Sequence, residues 1–389
     1  VDQNLILLDD APILNPTHLF GLFSVFPPDA VATMDLYKGI TPARYGGRAA
    51  AVLDISMANP NLEHFKLQAG IGPVSNRLTT EIPLIKNKIG VLIAGRGSFN
   101  DFWFRLGPPR VQNIRGNFAD GVVKLFYRLN ARNTLTLSSY GNYDFTQTEL
   151  LGGISSIQSS STQFEFKTLN LTAKWYHSFG EKLDMQVIGV HSRYQPNTLL
   201  PEVDNDNKVS ISSEVLQRQI KANLNYLPAK RHKIEFGVSA IHYQISPGKL
   251  DAGLNQSVIP VSLPMENALE LAGHIENEIS IHHKTTLSLG LRYSYFMNFG
   301  PATVRYYRPE FVRDESAILS EQVFGANQLI NTYDGFEPRI GIRHSLSETA
   351  SFKAGYNLMR QYLQVVTNAT TPLPTSRWKT SDPNIKPQI

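Results

Sequence analysis

The 389-residue chain contains no cysteine, which excludes a disulfide framework and thiol chemistry. It also lacks any run of eighteen apolar residues, although 42% of it is hydrophobic, so no segment qualifies as a helical membrane span. The mean hydropathy is −0.20. The formal charge is +4, yet Lys and Arg are nowhere dense enough to make a nucleic-acid-binding face. They gather instead at turns, as in Lys86-Asn87-Lys88 and Lys230-Arg231-His232-Lys233. A nucleophile elbow, a zinc-protease helix and a phosphate-cradling glycine loop are all missing, so no enzyme and no cofactor is expected. No signal-peptide pattern opens the chain at Val1, as for a mature or truncated product.

What the chain has is alternation. From about residue 65 to 362, stretches of ten to sixteen residues alternate apolar and polar positions, with connections that are short and long in turn. Leu135, Leu137, Tyr143 and Phe145 fall on one face, and Thr134, Thr136, Ser138, Asn142 and Asp144 on the other. The split recurs with Leu169, Leu171, Ala173 and Trp175 against Thr168, Asn170, Thr172 and Lys174, and again with Ile220, Ala222, Leu224 and Tyr226 against Gln219, Lys221, Asn223 and Asn225. Successive strand side chains point to opposite faces, so each stretch has one greasy and one wet side. The runs are about twice the usual five or six residues of a soluble strand. They describe an all-β membrane protein, an antiparallel transmembrane barrel with tight periplasmic turns and long extracellular loops.

Thirteen strands are expected, near 65–73, 75–84, 88–98, 116–128, 132–145, 163–178, 182–195, 209–226, 230–245, 267–281, 284–298, 334–346 and 349–362, followed by a Pro/Thr/Ser-rich loop. An odd number cannot close a single-chain bacterial barrel, and an open edge in lipid leaves backbone groups unpaired. Further strands are therefore expected after Ile389. Residues 1–61 read as a separate small mixed α/β unit: strands at Leu5–Leu8, Met34–Tyr37 and Val52–Ile55, a helix-like segment from Pro28, and a hinge at Asn59-Pro60-Asn61. Residues 62–389 form the wall.

Asn4–Pro12, Asn15–Gly21, Asp35-Leu36-Tyr37-Lys38-Gly39, Pro42-Ala43-Arg44-Tyr45-Gly46-Gly47-Arg48 and Val52–Ile55 resemble the plug domain of TonB-dependent outer-membrane receptors. Gly335-Phe336-Glu337-Pro338-Arg339 and Asp382–Pro387 resemble recurring barrel motifs of the same family. The details are closer to receptors that carry a carboxypeptidase-regulatory-like domain before the plug than to the starch-utilisation type. The resemblance implies part of a 22-stranded outer-membrane barrel, with about nine strands beyond this chain and the C-terminal part of a plug inside. It implies active import of a scarce ligand, such as a siderophore, cobalamin, glycan or peptide. Energy would come from the TonB–ExbB–ExbD complex through an N-terminal segment not in this chain. Outer-membrane lipid and lipopolysaccharide would surround the wall, and a surface lipoprotein partner is compatible without being indicated. A receptor-like scaffold that docks a partner protein and transports nothing is the alternative.

Candidate site residues follow. Asn15, His18, Phe20 and Phe23 are candidate ligand contacts on an upward-facing plug loop, since aromatic rings give area and stack on rings. Arg44, Tyr45, Gly46, Gly47 and Arg48 are candidate contacts between plug and wall, with at least one arginine expected to meet a wall carboxylate. Glu202, Asp204 and Asp206 offer hard oxygens to calcium, but lack the glycine and terminal glutamate of a helix-loop-helix site. His282 and His283 are adjacent in a turn and are expected to point apart.

Overall fold

A computed structural model describes residues 2–98, 105–108, 112, 114–149, 161–202, 206–254, 258–366 and 377–389. Their architecture is one large antiparallel sheet and a small N-terminal unit. Along the large sheet, thirteen strands follow one another in chain order from Lys66–Gly70 to Ser351–Asn357, each hydrogen-bonded to the next. A two-residue strand, Val261–Ser262, lies beside His232–Asp251. Lys66–Gly70 and Ser351–Asn357 form its two edges. No helix among the described residues is long and apolar enough to cross a membrane.

The expected strands are present, and several are longer than expected. Lys208–Ala229 has 22 residues and His232–Asp251 has 20, whereas about 9–11 tilted residues cross a bilayer. At about 3.3 Å per residue such a strand reaches roughly 70 Å. The excess lies toward the long connections, where the backbone ladder continues after the greasy alternation has ended. Residues 299–333, expected as a long connection, contain their own hairpin of Ala302–Tyr307 on Ile318–Phe324, and the next strand already begins at Leu329.

Exposure on the two faces is reversed relative to a soluble protein. Leu137, Leu169, Leu171, Trp175, Ile220, Val238, Leu291 and Ile340 are exposed, while Ser138, Asn142, Asp144, Thr168, Asn170, Thr172 and Glu337 are buried. The polar face is buried because the N-terminal unit lies on it. Arg77 near one edge of the sheet meets Asp29, and Asn357 at the other edge donates to the Gly39 carbonyl. A unit of some sixty residues touches both because the sheet curls around it.

The N-terminal unit is built on a four-stranded sheet in which Leu5–Leu8 pairs in parallel with Val52–Met57 and antiparallel with Ala11–Pro12, and Val31–Tyr37 closes the far side. The helix-like segment from Pro28 is a single 3₁₀ turn, Pro28–Ala30. Pro28 sets the turn, and Val31 and Thr33 then favour strand. Among the described residues the unit holds no α-helix, so its expected mixed α/β character is not found. The expected hinge is held down: Asn61 N donates to Glu81 Oε2 at 2.6 Å, and Asn87 N donates to the Leu62 carbonyl at 2.9 Å.

The segment after Tyr362 also departs from the expected loop. Leu363–Val366 pairs with Arg377–Thr380, and Tyr362, Leu363 and Trp378 are buried with Tyr243, Ile245 and Phe296. Its buried partners include Gln361, Gln364 and Thr380, polar residues that a sequence pattern assigns to water.

Candidate functional site

The contact between unit and sheet is assembled from tight turns that aim charge at the wet face. Asp9 and Asp10 form the two-residue turn joining Leu5–Leu8 to Ala11–Pro12, both with positive φ (46° and 73°). The left-handed turn matches strand twist, and Asp tolerates it better than most side chains. Three lysines from three strands converge on this tip. Asp9 pairs with Lys124 at 3.0 Å, and Asp10 meets both Lys174 and Lys221 at 2.5 Å. Burial alone would raise the Asp10 pKa, but the two ammonium groups hold it well below the usual carboxylate range.

Arg44 pairs with Glu235 of the sheet at 3.1 Å and also donates to Tyr45 Oη at 2.9 Å. Tyr45 in turn donates to Asp54 at 2.5 Å. Among the described residues Arg48 meets no carboxylate within pairing distance: it donates to the Leu363 carbonyl at 3.0 Å and lies over the Trp378 ring at 5.3 Å. Gly46 and Gly47 pass directly over a buried cluster of wall residues. A Cβ on Gly46 would lie 2.6 Å from Arg292 Cζ, and Gly47 has φ +78° with Glu270 below it. Arg292 reaches Glu270 at 3.5 Å and Glu337 at 3.9 Å, and Arg339 reaches Glu337 at 3.2 Å. Arg339 also donates to the carbonyls of Thr41 and Pro42, tying this cluster to the unit. A buried cation needs this density of partners.

His18 is not placed to touch a ligand. It is fully buried, with Nε2 3.1 Å from Asp120 and Nδ1 3.0 Å from Asp144. Its ring stacks on Phe118 at 4.1 Å, and Arg96 also reaches Asp120 at 2.6 Å. Burial works against its charge, but the hydrogen bonds to the two carboxylates prevail and raise its pKa. His18 thus straps the unit to the wall. Phe23 packs 5.8 Å from the same Phe118 ring, outside the cavity described next.

Asn15 and Phe20 do face open space. They line a cavity of about 450 Å³ with Thr17 on the unit's side, Asp144, Phe166, Tyr194 and Thr198 on the wall, and Arg377 and Trp378 from the returning hairpin. The wall residues sit near the strand ends that lead to long connections, so the cavity lies on that side of the unit. Leu19 and Phe20 both have left-handed φ (49° and 56°), each costing of order 1–3 kcal/mol. Asp144 holds the turn by accepting from Leu19 N at 3.0 Å.

The calcium expectation is not assembled among the described residues. Glu202 accepts from Asn207 Nδ2 at 2.9 Å, Asp206 is exposed, and Asp204 lies outside the described residues. No group of three or more His, Asp or Glu is arranged to hold a metal among the described residues. The rings of His282 and His283 approach to 3.9 Å instead of pointing apart, because the turn bends the backbone between them.

Asp120, Glu235, Glu270 and Arg292 were not singled out as contacts by the sequence, and Asp144 and Glu337 appeared there only as a polar-face residue and as part of a motif. Their signal is a charge repeated at inward positions of a membrane strand, where a charged side chain requires a partner.

No family model and no curated protein matches the sequence. Solved structures match the fold. The chain superposes on the copper transporter OprC with a TM-score of 0.64 at 11% identity, covering 93% of this chain and 56% of that one. The FrpB iron transporter from Neisseria meningitidis gives 0.63 at 14% identity, covering 92% and 57%. The ferric yersiniabactin uptake receptor FyuA from Yersinia pestis gives 0.63 at 11%, covering 97% and 58%. The chain therefore shares the fold of these solved structures, a large curled antiparallel sheet with a small unit seated on its polar face. The chain spans under three fifths of the length of these structures.

Proposed function

We propose that this chain forms the C-terminal part of the plug, residues 1–61, and the first thirteen wall strands of a 22-stranded TonB-dependent barrel that actively imports a scarce ligand across the outer membrane. The observation that carries this reading is the charged seat of the N-terminal unit: Asp10 between Lys174 and Lys221, and Arg44 on Glu235. Such pairs give registry to a docked element. They stand beside an apolar contact in which Leu8, Val25 and Phe26 of the unit pack with Leu92, Ala94 and Val122 of the wall. The cavity beside Asn15 and Phe20 is the ligand's place above the plug. Arg44, Tyr45, Gly46, Gly47 and Arg48 hold the plug to the wall. Lipid and lipopolysaccharide cover the apolar face, and the TonB–ExbB–ExbD complex supplies the pull.

The test is planar-bilayer conductance of the full-length protein with and without residues 1–61. The intact protein should conduct little, and the deletion should open a large stable pore. Equal conductance overturns the plugged-barrel reading. Ligand accumulation that collapses with a protonophore then separates active import from a docking scaffold.

A further inference from the structure

We propose that the outward face of the wall binds a phosphate-bearing membrane lipid, with its head group held by Arg218 between His191 and His242 and an acyl chain laid in the apolar hollow beside them. This goes beyond the import reading and rests on it only for the lipid around the wall.

Lys221 points inward to Asp10, so Arg218 and Ile220 of the same strand, Lys208–Ala229, point outward. Arg218 stands directly opposite His191 on one neighbouring strand and His242 on the other, and facing pairs have Cβ atoms about 4.5–5.5 Å apart. Arg218 is exposed. It donates to Gln244 Oε1 at 3.0 Å and meets no carboxylate within pairing distance among the described residues. Outward charges nearby come in pairs, Arg193 with Glu214 at 2.7 Å and Lys167 with Glu165 at 4.0 Å. They leave Arg218 as the cation still to be matched.

Arg218 lies about eleven residues from the strand's end at Ala229, and about 9–11 tilted residues cross a bilayer. It therefore sits at the rim of the apolar band, on the side of the long connections. A cation facing lipid requires a partner, and at the rim a lipid head group is within reach. A guanidinium offers phosphate two parallel N–H donors, and each imidazole adds another N–H. One step toward the bilayer, Ile220 and Ala240 follow Arg218 and His242 on the same face. They belong to an apolar hollow of about 560 Å³, floored by the small residues Ala222, Ala240 and Gly273 and rimmed by Ile220, Leu271 and Tyr293. An acyl chain fills such a hollow while the guanidinium at its top meets the phosphate. Free phosphate has no use for the hollow, and an uncharged lipid has none for Arg218.

The experiment is titration of the detergent-purified full-length protein, followed by native mass spectrometry, with bisphosphorylated lipid A, with the same lipid stripped of phosphate, and with inorganic phosphate as competitor. The phosphorylated lipid should bind about tenfold or more tighter than the stripped one, and Arg218→Gln should remove most of that difference. Arg218 is exposed and outside the ion pairs, so this variant should keep its melting temperature. Ala240→Phe, which fills the hollow, should weaken binding of both lipids. Arg231→Gln, at the opposite rim, should change nothing; an equal loss there reduces the effect to unspecific charge and overturns the site. Equal affinity for the two lipids, or binding unchanged in Arg218→Gln, overturns the phosphate contact. Displacement of the lipid by equimolar inorganic phosphate overturns the lipid as the source of that phosphate. Failure of the import reading appears separately, as unchanged conductance on deletion of residues 1–61.

Discussion

Gly46 of the N-terminal unit and Arg292 of the wall approach so closely that a Cβ on the glycine would lie 2.6 Å from the guanidinium carbon. Arg292 cannot retreat cheaply, because it is 3% exposed and lies against Glu270 and Glu337. Gly46→Ala should therefore cost about 1–3 kcal/mol, the range for overpacking a filled interior. Thermal unfolding of the purified protein measures it, and an unchanged midpoint refutes the close approach.

Asp10→Asn should loosen the tip of the unit. The substitution leaves Lys174 and Lys221 facing a neutral amide, a loss of about 2 kcal/mol, below the roughly 3–5 of a fully buried broken pair because Lys174 is 27% exposed. The folded-state pKa of Asp10 is lowered, so its contribution is present above the unfolded value of about 4 and is lost as the medium is acidified through the folded value. Urea titrations below and above pH 4 should show the wild type losing this increment in acid and the variant lacking it throughout.

His18 has the opposite sign. Its folded-state pKa is raised, so the strap contributes fully below about pH 6.5 and weakens as the pH rises through the folded value. Hydrogen exchange at the Leu19 amide, which donates to Asp144, should quicken with rising pH beyond the intrinsic base catalysis. His18→Gln should abolish the excess.

Leu171 is exposed on the apolar face, well inside Ser161–Ser178. Leu171→Lys should cost about 2–4 kcal/mol for folding into lipid vesicles, as for a lysine near the bilayer midplane of a barrel. The same substitution in detergent with polar head groups close by should cost less. Equal, negligible costs in both would mean that this face does not meet lipid.

The wall was readable because strand periodicity is local. A residue such as Leu171 and its neighbour Asn170 face opposite ways whatever the rest of the chain does, so thirteen strands, their two faces and the alternation of short and long connections all follow from adjacent residues. The glycines and arginines from Arg44 to Arg48 were likewise visible as a dense motif, and Asn15, His18, Phe20 and Phe23 as candidate ligand contacts of a turn-rich stretch. The partners were not. Nothing near His18 announces Asp120 and Asp144, which lie 102 and 126 residues away, and the same holds for Asp10 with Lys174 and Lys221. A long-range ion pair depends on which inward positions the curled sheet brings to one turn, a property of register and curvature. The polar tail hairpin at Leu363–Val366 and Arg377–Thr380 was hidden for a related reason. Inside this wall polar residues are buried alongside apolar ones such as Leu92, Val122 and Phe296, so polarity alone does not mark a segment as exposed to water. Sequence alone thus determined the thirteen successive wall strands and their outward face, because alternation is local; the tertiary structure decided which charges meet, that His18 is a strap, where the added hairpins form and where the cavity opens, because these depend on register and curvature.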